Sequence, residues 1–469
     1  MTAAERIAAF AADLRYEDLP QEVAQSVKQR VLDTLGVVLA GSAFAPARIL
    51  AGVLGEQGGK PEAVPLSGSD PLPAAQAAFL SGTLAHSVEF DDTHLPSIVH
   101  PSAFVVPAAL TAAQVLGAGG RDVIAAAAAG YEALVRIAMA AYDEELGNSI
   151  FFERGLHGAS ICGALASAVT AAKLLGADAE RTMHALGIAA SFGSGILEAN
   201  RTGGTVKQIQ AGWACHAGVY AAKLAIAGIT APATVLEGRF GFFQALLGEE
   251  CDILGAIADL GERWETPGIV FKPYPTNHFT HTGIDAAIAL RRRLGGPVEP
   301  AQVEALELLV ATSTVRTIGQ PREAKTRPQS GYHARFSGPY TVAMALRGGG
   351  GLGLALEDFH DGIAADETLQ ALADKVEVRG DERCDRIFPH HFPAILRLRL
   401  ASGQVLEEAV LENRGSRARP LSFGEIRTKF LSNAAPVLGE ARAEEVAGLC
   451  VHLEDLGSID PLVRSWARD

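Results

Sequence analysis

The chain has 469 residues, of which 48% are hydrophobic and 20% charged, and its net charge is −14 at pH 7. Such a length is enough for two or three domains, and the acidic balance excludes the basic surface that nucleic-acid binding requires. Aromatic residues make up only 6% of the chain, so Ala, Leu, Val and Ile must build the core. Small side chains let helices pack closely, which favours a mostly α-helical protein.

The cysteines are few and far apart, and none forms a CxxC pair. Their odd number and wide spacing indicate buried, reduced thiols of a cytoplasmic protein instead of a disulfide framework or a zinc site. The first residues, MTAAER, lack the layout of a signal peptide. The five cysteines are Cys162, Cys215, Cys251, Cys384 and Cys450.

Apolar periodicity predicts helices through the first part of the chain. In Pro20–Leu39, valines and a leucine recur at i, i+4 spacing on one face. Two uncharged runs, 102–120 and 155–172, approach membrane-spanning length, but their many Gly, Ala and Ser residues indicate buried core helices and no membrane contact. Further helices are predicted over Pro73–His86, Ala103–Leu116, Val123–Tyr142, Ala159–Leu175, Ala179–Phe192 and from about Ala211 to Gly228.

The hydrophobic period becomes strand-like after a predicted helix over Ile284–Leu294, and helices return after Pro420. We therefore expect a large all-helical domain built from both chain ends (residues 1–268 and 420–469), with a smaller α+β domain inserted at 269–419. The inserted domain is predicted to contain a helix over Phe336–Leu346. Its candidate strands are Val303–Thr312, Lys375–Arg379, Ala394–Leu400 and Val405–Asn413.

Residues 85–102 (AHSVEFDDTHLPSIVHPS) concentrate three histidines and three carboxylates between long apolar runs. A concentration of titratable groups in an apolar chain is typical of a chemical site. A helix N-terminus is the alternative, because Asp91, Asp92 and Thr93 are good capping residues. Both functions are compatible, with Asp91 and Asp92 holding the turn while Glu89, Thr93 and His100 face a substrate.

Two lysines stand alone in uncharged surroundings, which suits them to bind carboxylates. Lys207 is the one formal charge between Thr202 and Ala222, and the glycines before it leave N–H groups for an anion. Lys272 is similarly isolated and is followed by Asn277 and His278. The alternatives are a lysine that reaches solvent and an ordinary interdomain linker.

Imidazoles and carboxylates move protons near neutral pH, so these groups predict a site that abstracts a proton next to a carboxylate without a cofactor or metal. His157, which precedes a small-residue helix, is either a catalyst or a cap. We predict His100 and His157 as the acid/base pair and Lys207 and Lys272 as the carboxylate clamp. The predicted substrate-binding residues are Glu89, Asp92, Thr93, Asn277 and His278.

The chain resembles the MmgE/PrpD family, which includes 2-methylcitrate dehydratase, cis-aconitate decarboxylase and iminodisuccinate epimerase. The resemblance implies a homodimer, a lid formed by the smaller domain, and a site in the cleft between the domains. By motif position the family's site residues fall on Glu89, Thr93, His100, His157, Lys207 and Lys272. The matching segments are 31–36 (VLDTLG), 89–93 (EFDDT) with 100–102 (HPS), 155–157 (GLH), Lys207 with 211–212 (AG), 272–275 (KPYP) with 280–281 (TH), and 334–337 (ARFS).

Three departures from the family pattern leave the substrate open. Many members carry Asp where this chain has Glu89, and the decarboxylase branch has His where this chain has Asn277. This chain also has one more residue between Thr93 and His100 than that branch. Our first hypothesis is therefore a dehydratase of a small hydroxy-polycarboxylate. An epimerase of a small dicarboxylate and a decarboxylase of the cis-aconitate type are the alternatives.

Two hypotheses come from other classes of protein. A metal-dependent hydrolase would use Asp91, Asp92, His94 and His100 as ligands, which are suitable residue types. A non-catalytic helical scaffold is the other, and the polar stretches argue against it because buried titratable groups are costly.

Overall fold

The computed structural model describes residues 1–199 and 204–467, and the chain divides into two compact units. The helical unit comprises Met1–Ile269 and Asn433–Asp469, and the mixed unit comprises Val270–Ser432. The fold class is mostly α, as the sequence predicts. The second division lies within helix Phe423–Leu438, whereas the sequence placed it at residues 419/420.

The helical unit begins with twelve helices, α1 to α12, in the described part of the chain, and those in its core follow the predicted apolar periodicity. Their bounds are α1 Ala3–Asp13, α2 Gln21–Gly41, α3 Ala45–Gln57, α4 Ala74–His86, α5 Ser102–Leu116, α6 Gly120–Met139, α7 Ile150–Glu153, α8 Gly158–Leu174, α9 Ala179–Phe192, α10 Val206–Ile226, α11 Phe242–Leu247 and α12 Ile253–Ala256.

Several predicted helix limits differ from the observed ones, and the end of α6 and the start of α10 are the clearest cases. α6 ends at Met139, where the chain enters a short antiparallel pair formed by β1 (Tyr142–Asp143) and β2 (Asn148–Ser149). α10 begins at Val206 and not near Ala211. The prediction missed this start because the first turn carries Lys, Gln and Gln side chains, which obscure the apolar periodicity.

The two uncharged runs form α5 and α8, and both helices are almost entirely buried in the helical unit. Within the described residues, no single helix has the length and apolar character to cross a membrane. The bent pair Gln21–Gly41 and Ala45–Gln57 meets that test by length and composition only when both helices are counted together.

Small residues set how closely α4 and α10 approach. A Cβ atom added to Gly212 of α10 would lie 2.1 Å from both the Phe79 carbonyl oxygen and the Thr83 hydroxyl of α4. A Cβ on Gly82 of α4 would lie 2.6 Å from the Cys215 sulfur of α10. These two helices carry His86 at the end of one and Lys207 at the start of the other, so the glycine contact positions both.

The mixed unit is built on a four-stranded sheet in the order β4-β3-β5-β6. β3 (Val303–Val310) pairs in parallel with β4 (Val376–Gly380) and antiparallel with β5 (Ala394–Leu400), which pairs antiparallel with β6 (Val405–Val410). All four strands were predicted, and the turn at Ser402-Gly403 joins the last two.

Helices cover this sheet, and two of them, α13 and α17, pack on each other. Their apolar side chains share a core with Leu306 and Leu308 of β3. The remaining helices of the chain are α13 His281–Arg293, α14 Thr312–Gly319, α15 Arg322–Thr326, α16 Gly331–Ala334, α17 Gly338–Arg347, α18 Glu367–Ala373, α19 Glu382–Asp385, α20 Phe423–Leu438, α21 Glu440–Val451 and α22 Asp460–Trp466.

The cysteines carry free thiols. Four of the five are buried, and the prediction of a buried thiol is wrong for Cys251, which is partly exposed.

The contact between α4 and α10 predicts opposite outcomes for two identical helix substitutions. We expect Gly212→Ala to lower the free energy of unfolding by about 1–3 kcal/mol, because the new methyl group overlaps the α4 backbone. The matched control is Gly448→Ala in α21, where nothing lies within 4 Å of the added Cβ. That change should raise the free energy of unfolding by about 0.5–1 kcal/mol. Thermal unfolding midpoints measure both, and equal shifts in one direction would contradict this packing.

Candidate functional site in the helical unit

The turn after α4 is held in an unusual backbone conformation. Glu89 and Ile98 both have positive φ angles, 54° and 55°. Non-glycine residues seldom adopt this region, and it persists only where surrounding contacts enforce it. Asp91 and Asp92, which lie in the same turn, make buried contacts that hold it.

Asp92 is almost fully buried, and its carboxylate is held by charged and polar partners. One Oδ accepts from Arg30 Nη1 at 2.6 Å, and the other accepts from the Ser102 backbone N–H at 3.0 Å. The Ser102 hydroxyl also donates to the carboxylate and is in contact with the Tyr131 hydroxyl at 2.7 Å. Arg30 further donates to the carbonyl of Ile269. These contacts hold the turn, and substrate binding by Asp92 stays a prediction.

The same residue orients His100 through its backbone. The Asp92 carbonyl lies 2.8 Å from His100 Nδ1, and the Thr93 hydroxyl lies 3.2 Å from that nitrogen. A carbonyl only accepts hydrogen bonds, so we infer a proton on Nδ1, which leaves the lone pair of the neutral ring on Nε2.

His157 precedes the first residue of α8 and lies in an enclosed position. Its Nδ1 lies 2.7 Å from Gln210 Oε1, and the Gln210 amide nitrogen donates to the Ile196 carbonyl, which fixes the amide orientation. Gly195 accepts from the His157 N–H, and a Cβ at Gly195 would lie 3.1 Å from the His157 Cβ. Burial lowers the pKa of His157 well below 6.5, and the charges of His86 and Lys207 lower it further. His157 is therefore neutral near pH 7.

Lys207, isolated in the sequence, is paired in the structure. Its Nζ lies 3.2 Å from Glu89 Oε1, across 118 residues of chain. The lysine side chain is 20% exposed and the glutamate side chain 9% exposed. The positive-φ turn and the start of α10 thus meet through this ion pair. Gly203, one of the two glycines expected to bind an anion, lies outside the described residues.

The structure brings His86 into the same cluster. Its ring centroid lies 5.4 Å from that of His100 and 5.6 Å from that of His157. Sequence reasoning did not assign His86 to the site, although it is the first imidazole of the polar stretch. It also missed Gln210, which lies three residues after Lys207 on the same helix, and Arg30, a charged residue near the middle of α2.

Three predicted site residues belong to the mixed unit. Lys272 and His278 are buried there. Asn277 caps a short 3-10 helix, His278–Thr280, through its side-chain oxygen. Burial lowers the pKa of nearby His281 well below 6.5, and the charge of Lys272 lowers it further. His281 was part of the family motif but not of the predicted site.

The proposed metal ligands are engaged elsewhere. Asp91 contacts His86, Asp92 contacts Arg30, and His94 Nδ1 lies 2.7 Å from the Ser97 hydroxyl. In residues 1–199 and 204–467, no group of three or more His, Cys, Asp or Glu side chains has a metal-binding arrangement.

Taken together, the helical unit holds a cluster of imidazoles beside a lysine–glutamate pair, embedded in an alanine- and glycine-rich core. Comparison with models of known protein families identifies the family. Residues 5–253 match the MmgE/PrpD N-terminal domain, and residues 274–453 match the MmgE/PrpD C-terminal domain. The chain therefore belongs to the MmgE/PrpD family.

The chain is also similar over nearly its full length to proteins named cis-aconitate decarboxylase. The protein of Aspergillus terreus (strain NIH 2624 / FGSC A1156) is 28% identical over 468 residues, which cover 97% of this chain and 94% of the relative. The Homo sapiens protein is 27% identical over 465 residues, covering 94% of this chain and 90% of the relative. The Mus musculus protein is 29% identical over 405 residues, covering 84% and 78%.

The buried Arg30–Asp92 pair predicts a large loss of stability when only one partner is removed. Arg30→Met leaves an uncompensated buried carboxylate, so we expect the free energy of unfolding to fall by about 3–5 kcal/mol. The control is Arg121→Met, whose pair with Glu17 is more than half exposed and should contribute about 0–1 kcal/mol. If denaturant unfolding gave a similar loss of free energy for both variants, the buried pair would contribute no more to stability than the exposed one.

The low pKa of His157 predicts how stability changes with pH. Below about pH 6.5 the unfolded chain binds a proton that the folded protein does not, so stability falls as the pH falls, by up to about 1.4 kcal/mol per pH unit. His157→Asn keeps a donor for Gln210 and removes this proton. We expect its unfolding midpoint to change less between pH 6.5 and 5 than that of the parent protein.

The control for this pH experiment is His452→Asn, because the His452 side chain is 71% exposed. It should retain the parent's pH dependence. An unchanged pH slope in His157→Asn would contradict the assignment of a neutral His157.

Proposed function

We propose that this protein is a cofactor-independent lyase that transfers a proton next to a carboxylate group of a small polycarboxylate. The observation that carries the proposal is the neutral, buried His157 beside two further imidazoles and the Lys207–Glu89 pair. A neutral imidazole accepts protons near pH 7. A lysine at the edge of the cluster supplies positive charge for a substrate carboxylate.

Two reactions fit this arrangement and differ in the first bond that breaks. In dehydration, His157 Nε2 would take the proton from the carbon next to a carboxylate. The hydroxyl on the neighbouring carbon would receive a proton, and the electron pair left on the first carbon would form the double bond and expel this group as water. In decarboxylation, the carbon–carbon bond breaks first, carbon dioxide leaves, and an imidazolium delivers a proton to the carbanion. His100 is the proposed second imidazole in both reactions.

The relatives and the geometry favour different reactions. The names of the relatives favour decarboxylation of cis-aconitate, which is therefore the first substrate to test. A neutral His157 favours dehydration over decarboxylation, because dehydration begins by removing a proton from carbon and decarboxylation does not. Epimerisation begins in the same way but needs no leaving group. Both the relatives and the geometry support a lyase that acts on a carboxylate.

Lys207 would bind the substrate by exchanging its partner. A substrate carboxylate can replace Glu89 as the acceptor for Lys207, because the lysine is partly exposed. Thr93 and Glu89 would contact the substrate at the same turn. Lys272, Asn277 and His278 of the mixed unit are proposed as further substrate contacts, and a lid function of that unit and a homodimer stay predictions from the family resemblance.

One experiment separates the candidate reactions. The purified protein is incubated in D₂O with cis-aconitate, 2-methylcitrate and a small chiral dicarboxylate, and products are followed by proton and carbon-13 NMR. Carbon dioxide with a new alkene indicates decarboxylation, alkene formation without carbon dioxide indicates dehydration, and deuterium uptake alone indicates epimerisation. Absence of turnover on all di- and tricarboxylates tested would overturn the proposed function.

Variants of two lysines on α10 test the assignment of the site. Lys207→Ala should lower kcat/KM by about 10–100-fold through loss of a charge-assisted hydrogen bond. Lys223→Ala is the matched control, since Lys223 lies on the same helix as Lys207 and pairs with Glu62, and it should retain the parent's activity. Equal activity of the parent and Lys207→Ala would contradict the assignment.

A further inference from the structure

His86 ends helix α4 and has no role in the reactions described above. Its Nδ1 lies 2.7 Å from Asp91 Oδ2, and the two side chains are 1% and 3% exposed. The turn after α4, with its positive φ at Glu89, brings Asp91 back to the end of the helix. One nitrogen of the ring is thus held in place, which fixes the direction of the other nitrogen.

The other nitrogen of His86, Nε2, is buried and has no hydrogen-bond partner among the residues that the structure describes. A buried polar atom without a partner costs about 1–3 kcal/mol, so its presence calls for a physical reason. His94, buried in the same turn, differs: its Nδ1 lies 2.7 Å from the Ser97 hydroxyl, and its Nε2 lies 3.7 Å from the Glu265 carboxylate. His94 therefore has polar partners on both sides of its ring, whereas His86 has one on a single side.

The location of Nε2 distinguishes it from the other buried polar atoms that lack a partner in the described chain. The ring centroid of His86 lies 5.4 Å from that of His100 and 5.6 Å from that of His157. The charge of Lys207 also reaches His157, since it lowers the pKa of that imidazole. A small polycarboxylate that contacts Lys207 and His157 therefore also comes within reach of His86.

An imidazole nitrogen binds either kind of oxygen that a small polycarboxylate carries. It donates to a carboxylate oxygen when it bears a proton, and it accepts from a hydroxyl group when it does not. Either hydrogen bond would satisfy Nε2, and the buried surroundings strengthen it because the local dielectric is low. A ligand oxygen therefore supplies the partner that the described residues do not provide.

We propose that His86 is a third substrate-binding imidazole of this site, with Nε2 forming a hydrogen bond to an oxygen of the bound polycarboxylate. Asp91 holds the ring through Nδ1 and is therefore a positioning residue. This role rests on the proposed function, and it adds a substrate contact to those expected from the sequence.

Two substitutions of His86 separate substrate binding from a structural role. The amide of asparagine occupies the position of Nδ1, beside Asp91, and leaves nothing at Nε2, whereas the amide of glutamine reaches the position of Nε2. We expect His86→Asn to weaken the binding of propane-1,2,3-tricarboxylate by about 5–20-fold, through loss of a hydrogen bond. His86→Gln should stay within about 3-fold of the parent's affinity, because it keeps a polar atom at that place. Isothermal titration calorimetry measures both.

A purely structural role gives the reverse order. If His86 only holds Asp91, His86→Asn should bind like the parent and His86→Gln should bind more weakly, and that order would overturn the proposal. Thermal unfolding midpoints establish that both variants are folded under the conditions of the titration. The control is His452→Asn, because the His452 side chain is 71% exposed, and it should bind like the parent.

Lys207→Ala in the same titration distinguishes this proposal from the proposed function. Weaker binding by Lys207→Ala, together with unchanged binding by His86→Asn, would overturn the role of His86 and leave the proposed site in place. No binding of the tricarboxylate to the parent protein would overturn both.

A direct readout comes from NMR of the parent protein labelled with ¹⁵N-histidine. The His86 signals are assigned as those lost in His86→Asn or His86→Gln. On saturation with propane-1,2,3-tricarboxylate, we expect the Nε2 signal of His86 to shift while the signals of His452 stay in place. Movement of the His157 signals with an unchanged Nε2 signal of His86 would overturn the proposed contact.

Discussion

The buried carboxylate of Asp92 is the constraint on which the site depends. A charge removed from water must be compensated by charge and hydrogen bonds, and Arg30 and Ser102 supply both. These contacts tie the turn after α4 to α2 and α5. Because the carbonyl of the same residue contacts His100, one structural requirement also orients a proposed catalytic side chain.

The apolar scaffold contributes the rest of the geometry. Glycines at the crossing of α4 and α10 bring the end of one helix close to the start of the other, so Glu89 and Lys207 meet across 118 residues. An alanine-rich core keeps the surroundings of the cluster poor in water, which strengthens the effect of each partner on its imidazole. Burial in this core also lowers the pKa of His157 well below its usual value.

Much of this architecture could be predicted from the sequence. Apolar periodicity located the core helices and the four strands of the mixed unit, because burial on one face leaves a direct trace in residue order. The start of α10 was missed since its first turn is polar. Partnerships were not predictable: the isolation of Lys207 in sequence suggested a charge awaiting a substrate, yet Glu89 pairs with it, and Asp92 holds Arg30. Such contacts join distant segments and leave no local pattern.

We propose that the imidazole cluster and Lys207 form the binding site for a small polycarboxylate. The most direct test is a crystal structure of the protein with propane-1,2,3-tricarboxylate, which has no alkene and no hydroxyl to react. We expect a carboxylate of this molecule within hydrogen-bonding distance of Lys207 Nζ, with its carbon chain against His157. Binding at a location remote from both residues, with the Lys207–Glu89 pair and the cluster undisturbed, would contradict it.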